Sequence, residues 1–95
     1  MTAYATAMIS LKDGDAFGAY AAQVGATMAP FGGTVQVRGR VALALAGAPG
    51  FDAFALLAFP DADSLKAWYA SDTYQALIPL RDSGADVQIT LLDSV

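Results

Sequence analysis

Arg38-Gly39-Arg40 and Arg81 hold three of only five basic residues in a 95-residue chain of formal net charge −4. A guanidinium offers a planar fork of N–H donors that matches a carboxylate or enolate. The flanking alternation places Arg38 mid-strand on a half-buried face, where an unpaired charge is costly. Two roles satisfy that cost: a salt bridge to an Asp across an interface, or capture of a ligand's carboxylate or enolate. A second constellation is Trp68-Tyr69-Ala70-Ser71-Asp72-Thr73-Tyr74, followed by Arg81 just beyond Pro79. Its aromatics and hydroxyls suit the wall of a small-ligand pocket, and equally an aromatic core beneath a short loop. The ligand-binding candidates are therefore Arg38, Trp68, Tyr69, Ser71, Tyr74 and Arg81. No catalytic residue is assigned.

The rest of the alphabet is narrow. The chain has no Cys, His, Glu or Asn, and every acid is an Asp. That excludes a disulfide framework, a thiolate nucleophile and a Cys/His zinc site. Ser71 has no His to activate it. Asp13-Gly14-Asp15 and Asp61-Ala62-Asp63 stand where helices should start, and Asp there caps free backbone N–H groups. Ala16-Phe17-Gly18 lacks the further oxygen ligands of a calcium loop. Gly32-Gly33 follows a helix, whereas a phosphate-cradling loop precedes one. Neither a metal nor a cofactor is expected.

The basic residues form no run, which argues against a nucleic-acid partner, and an acidic surface disfavours anionic membranes. The longest uncharged apolar run, 41–51, is too short to span a bilayer and contains Gly47, Pro49 and Gly50. The first positive charge, Lys12, comes after the apolar stretch, the reverse of a secretory signal. A cytoplasmic protein is expected.

The elements that must position these residues follow from periodicity. Residues 3–11 alternate as a strand. Phe17, Tyr20, Val24, Met28 and Phe31 make the apolar stripe of a helix over 15–30. Residues 34–46 read as a long strand with Val35, Val37, Val41, Leu43 and Leu45 on one face and Gln36, Arg38 and Arg40 on the other, with no bulge required. Gly47-Ala48-Pro49-Gly50 turns the chain into a strand over 52–59, apolar on both faces and hence central. A second helix runs from Pro60-Asp61 to Ala70. A short further turn from Asp72 is stopped by Pro79, and a strand over 86–93 closes the chain. The order predicts one α+β domain over 1–95 with ferredoxin-like βαββαβ topology: an antiparallel four-stranded sheet with two helices on one face.

Hydrophobic residues make up 56% of the chain and charged ones 15%, more apolar material than so small a domain easily hides. The sheet face away from the helices, carrying Thr6, Met8, Gln36, Arg38, Gln88 and Thr90, is expected to meet a second sheet across a partly polar cavity. The predicted partner is a second copy of the chain.

Tyr20, Phe31-Gly32-Gly33, Val37-Arg38-Gly39, Phe59-Pro60, Trp68-Tyr69-Ala70-Ser71, Tyr74 and Pro79-Leu80-Arg81 resemble the motif series of the bacterial domain-of-unknown-function family 1330. The likeness runs over nearly the whole chain, and W-Y-x-S-x-x-Y with a following P-L-R is its specific part. The resemblance implies a dimeric α/β barrel, in which two sheets close face to face around a cavity. Relatives of that superfamily include cofactor-free monooxygenases, haem-degrading enzymes and stress-responsive proteins. The family usually shows Glu-Gly near the end of the second strand, where this chain has Ala46-Gly47. The His-Asp pair of the YciI kind is missing too. Both departures weaken an acid/base mechanism. The expected function is binding of a small aromatic or acidic metabolite in a pocket near the dimer interface. Two alternatives stand beside it: a cofactor-independent monooxygenase or isomerase acting on a phenolic or enolic substrate, and a structural or interaction protein without a ligand.

Overall fold

The computed structural model describes residues 2–92. Strand β1 spans Ala3–Leu11, helix α1 Gly14–Met28, β2 Thr34–Arg40, β3 Ala53–Phe59, α2 Ala62–Ala70, α3 Asp72–Gln75, α4 Ile78–Gly84 and β4 Ala85–Leu92. A 3-10 turn, Ala29–Phe31, closes α1. The sheet order is β2-β3-β1-β4 with every neighbouring pair antiparallel. This is the ferredoxin-like arrangement expected, with β3 and β1 central.

Both Asp-x-Asp pairs begin helices as expected. The Asp13 carboxylate accepts from the Asp15 and Ala16 N–H groups, and Asp61 accepts from Ser64 N–H at 2.7 Å. That backbone bond, helped by the Ser64 side chain, holds the Asp61 carboxyl below its usual range. The core between sheet and helices gathers Ala3, Ala5, Tyr20, Met28, Leu57, Phe59, Leu65, Trp68 and Tyr74.

Three expectations need correction. Strand β2 ends at Arg40 rather than at residue 46. The alternation does continue through Leu45, but β3 begins only at Ala53, so nothing remains for residues 42–46 to pair with. The last link is Val41 N–H to Asp52 O at 2.8 Å. Asp52 then ties the loop to β1, donating N–H to Ile9 O and accepting Leu11 N–H on its carboxylate. Leu43 and Leu45 are left 75% and 93% exposed.

Pro79, expected as a stop, stands in the first turn of α4. Proline suits that turn because its missing N–H has no partner there in any helix. The Gly84 carbonyl at the end of α4 accepts from the Lys12 and Asp13 N–H groups, and a Cβ on Gly84 would strike the Phe17 backbone.

The third correction moves side chains. Val35 pairs with Leu57, but Val37 pairs with Leu56 and Arg38 with Ala55. Gln36 is the extra residue of a β-bulge, which flips the parity of everything after it. Arg38 and Arg40 therefore share the helix-covered face with Ala55 and Ala53, while Val37 and Gly39 take the open face. The closing strand expected over 86–93 is β4 as far as Leu92; residue 93 lies outside the described residues.

Candidate functional site

The helix-covered sheet face has a patch of small residues between larger ones. Strand β1 presents Ala5 and Ala7 there, and β3 presents Ala53 and Ala55. Helix α1 presents an equally small face, because Gly14, Gly18, Ala21 and Gly25 recur at steps of four, three and four. Interiors normally fill with interdigitated side chains; here the small residues of the two walls leave a gap. A cleft of about 620 Å³ remains between α1 and the sheet, within the ~300–1,000 Å³ range of small-molecule sites. A Cβ added at Gly14, Gly18 or Gly25 meets no atom within 4 Å.

Apolar side chains complete the walls: Ile9 and Leu11 from β1, Phe17 and Val24 from α1, Leu57 from β3, Val87 and Ile89 from β4. The cleft opens toward β2, whose seven residues are all exposed. There Arg38 and Arg40 stand on its wall. Among the described residues the ion pairs are Lys12–Asp86 and Arg81–Asp82, so neither arginine of the cleft has a carboxylate partner.

The structure divides the six sequence candidates. Arg38 and Trp68 line the cleft; Tyr69, Ser71, Tyr74 and Arg81 do not. Trp68 is fully buried beneath it, so no indole face is free for stacking. Its Nε1–H donates to Thr27 Oγ1 at 3.0 Å, and that hydroxyl donates to Val24 O at 2.6 Å. The ring lies 4.4 Å from Tyr74 and 5.3 Å from Phe59, centroid to centroid. Ser71 joins two helices: its hydroxyl donates to Trp68 O at 2.6 Å and accepts from Tyr74 N–H, capping α3.

Arg81 is the one charged residue in the core among the described residues, 9% exposed. Its Nη1 donates to Tyr74 Oη at 3.0 Å and to Tyr69 Oη at 3.3 Å, and its Nε donates to Asp82 at 3.0 Å. Burial disfavours the guanidinium charge, but these three bonds outweigh it and hold the pKa above its ordinary value. Tyr74 Oη lies 2.9 Å from Tyr20 Oη, and Tyr20 also lines the cleft. Tyr20 was visible in the sequence as part of an apolar stripe and of the family's motif series, but not as a candidate site residue. Arg40 was visible beside Arg38, but its place on the cleft depends on the bulge. The glycine–alanine face of α1 was legible in the spacing of residues 14, 18, 21 and 25, although it signals space rather than chemistry.

A sheet of this order with small inner walls defines a ferredoxin-like α+β domain with a cleft between helix and sheet. The chain belongs to the family described as "Domain of unknown function (DUF1330)", whose family model matches residues 2–95. Solved structures share the fold. A protein of unknown function from Rhodopseudomonas palustris, RPA0582, superposes with a TM-score of 0.83 at 17% identity, covering 99% of this chain and 82% of that one. A dimeric ferredoxin-like protein of unknown function from Jannaschia sp. CCS1 gives 0.80 at 16%, covering 99% and 100%. SnoaB from Streptomyces nogalater, a cofactor-independent oxygenase, gives 0.69 at 9%, covering 99% and 93%. No curated protein matches this chain.

Proposed function

We propose that the protein binds a small aromatic acid or enol in the cleft between α1 and the sheet. One observation carries this: two arginines without carboxylate partners stand on the wall of an otherwise apolar cleft, in a chain of net charge −4. An apolar slot selects a planar hydrocarbon body, and the guanidinium forks select an ionised oxygen at one end. The cleft lies on the helix side of the sheet, so the ligand sits within one subunit instead of between two sheets. Tyr69, Ser71, Tyr74 and Arg81 serve it from behind, as the packed layer that holds Trp68 and α1 in place.

The test uses the single tryptophan, Trp68. Titration with 2-naphthoate should change its emission, and the neutral 2-naphthamide should bind more weakly. Arg38→Met should weaken naphthoate about tenfold or more, the loss expected for one charge-assisted hydrogen bond, and leave the amide unchanged. Equal binding of acid and amide to the wild type, or of naphthoate to both proteins, would refute the reading.

The fold shared with SnoaB favours a second reading, a cofactor-independent oxygenase acting on an ionisable phenol or enol. Such a substrate carries its own electron density, so the protein need only bind, orient and exclude water. Oxygen uptake with a polyphenolic quinol, lost in Arg38→Met, supports it; no uptake with any quinol that binds rejects it.

The open sheet face supports a homodimer. The bulge puts Val37 there with Met8, Phe54 and Leu56, and Leu43 and Leu45 project from the adjoining loop. An apolar surface of that extent calls for a cover, and a second copy is favoured by the dimeric protein that shares this fold.

A further inference from the structure

The direction of the hydrogen bonds around Tyr74 has a consequence for the cleft. Arg81 can only donate, so Tyr74 Oη accepts from it. Tyr74 is fully buried, and an unmade hydrogen bond at its own hydroxyl hydrogen would carry the full desolvation cost. The acceptor within reach is Tyr20 Oη at 2.9 Å. The opposite order, Tyr20 donating to Tyr74, strands the Tyr74 hydrogen. The chain of donation therefore runs from Arg81 through Tyr74 to Tyr20. The Tyr20 hydroxyl then keeps its own hydrogen, for which no protein acceptor exists among the described residues. Tyr20 is 7% exposed and lines the cleft.

We infer that the Tyr20 hydroxyl is the hydrogen-bond donor of the cleft, aimed at the ionised oxygen of a phenolic or enolic ligand. The inference rests on the reading of the cleft as a ligand site and adds the chemistry at its inner end. A cation at the far end of the relay polarises both hydroxyls in the same sense, so each bond strengthens the next. Burial pushes the Tyr20 pKa well above its ordinary value. Tyr20 thus stays protonated and acts as a donor, never as a base. Tyr74 and Arg81 are positioning residues that act through it. A ligand lacking an acceptor oxygen leaves that donor unmet, which gives the site a preference that apolar packing alone cannot supply.

The probe is 4-nitro-1-naphthol, whose ionised form absorbs in the visible. Its pKa bound to the protein, measured by absorbance, should lie below that of the free probe, because Tyr20 donates to the ionised oxygen. In Tyr20→Phe the bound pKa should rise by about one unit, a tenfold loss in preference for the ionised form. Affinity for the neutral form should change less than twofold. Tyr74→Phe keeps the Tyr20 hydroxyl but removes its polarising partner, and should give a smaller rise in the same direction. A merely structural Tyr20 would change both affinities together or neither. A probe pKa unmoved in both variants overturns the inference and leaves the cleft reading standing. No binding of either probe form to the wild-type protein overturns both.

Discussion

Arg81 shows how a residue that looks like a ligand contact can serve as a foundation. Three of its five donors answer two tyrosine hydroxyls and one carboxylate, and its remaining exposure is small. Replacing it with Met keeps the aliphatic stem but leaves Tyr74 without its cation and Tyr69 without a donor. Arg81→Met should lower stability by about 2–3 kcal/mol, the range for bonds to a buried charge. In a domain of this size that is roughly 10–20 °C in melting temperature, readable by calorimetry. A loss under ~0.5 kcal/mol would mean the network contributes nothing net. Arg38 and Arg40 contrast with it. They are exposed, have no carboxylate partner among the described residues, and should cost little stability when replaced.

Helix α1 is where stability and function compete. Glycine within a helix costs about 0.5–1 kcal/mol relative to alanine. Yet α1 carries Gly14, Gly18 and Gly25 on one face, and each has open space where a Cβ would go. Those positions keep the cleft open at the helix's expense. Gly18→Leu should raise stability by about 1 kcal/mol through helix propensity and burial of the new side chain. The same change should abolish naphthoate quenching of Trp68, because the leucine occupies the ligand's place. Unfolding and titration of one variant check both halves, and unchanged naphthoate affinity would place the ligand elsewhere. The bulge at Gln36 is the other element-level device. One extra residue turns two arginines from the open face to the cleft.

At the scale of the whole molecule, the helices cover one side of the sheet and leave the other open, where Met8, Val37, Phe54 and Leu56 stand beside Thr6, Gln88 and Thr90. The protein should sediment as a dimer at micromolar concentration. Val37→Asp, which puts a charge on the exposed edge strand of the open face, should weaken association by about tenfold or more. Because Val37 faces away from the cleft, naphthoate binding should survive in the monomer. A wild-type protein that stays monomeric at high micromolar concentration would instead leave this face uncovered.

The topology, the central place of β3, the two Asp caps and the apolar stripe of α1 were all legible in the residues. Each depends on local periodicity or on a side chain bonding its own neighbourhood. What surrounds Arg38 was not legible. Alternation through residues 34–46 is equally regular with or without an extra residue, and only pairing with β3 decides where the bulge falls and where the strand stops. The aromatic segment 68–74 likewise has one composition for two roles. Whether an indole or a phenol faces a ligand or a neighbouring ring depends on helices distant in sequence, here on Thr27, Tyr20 and Arg81 closing around it. By itself the sequence determined the four strands, the two longer helices and their order, but neither α4 nor the end of β2. The tertiary structure alone decided which side of the sheet holds the cleft, because side-chain direction in a strand is a property of the pair and not of the strand.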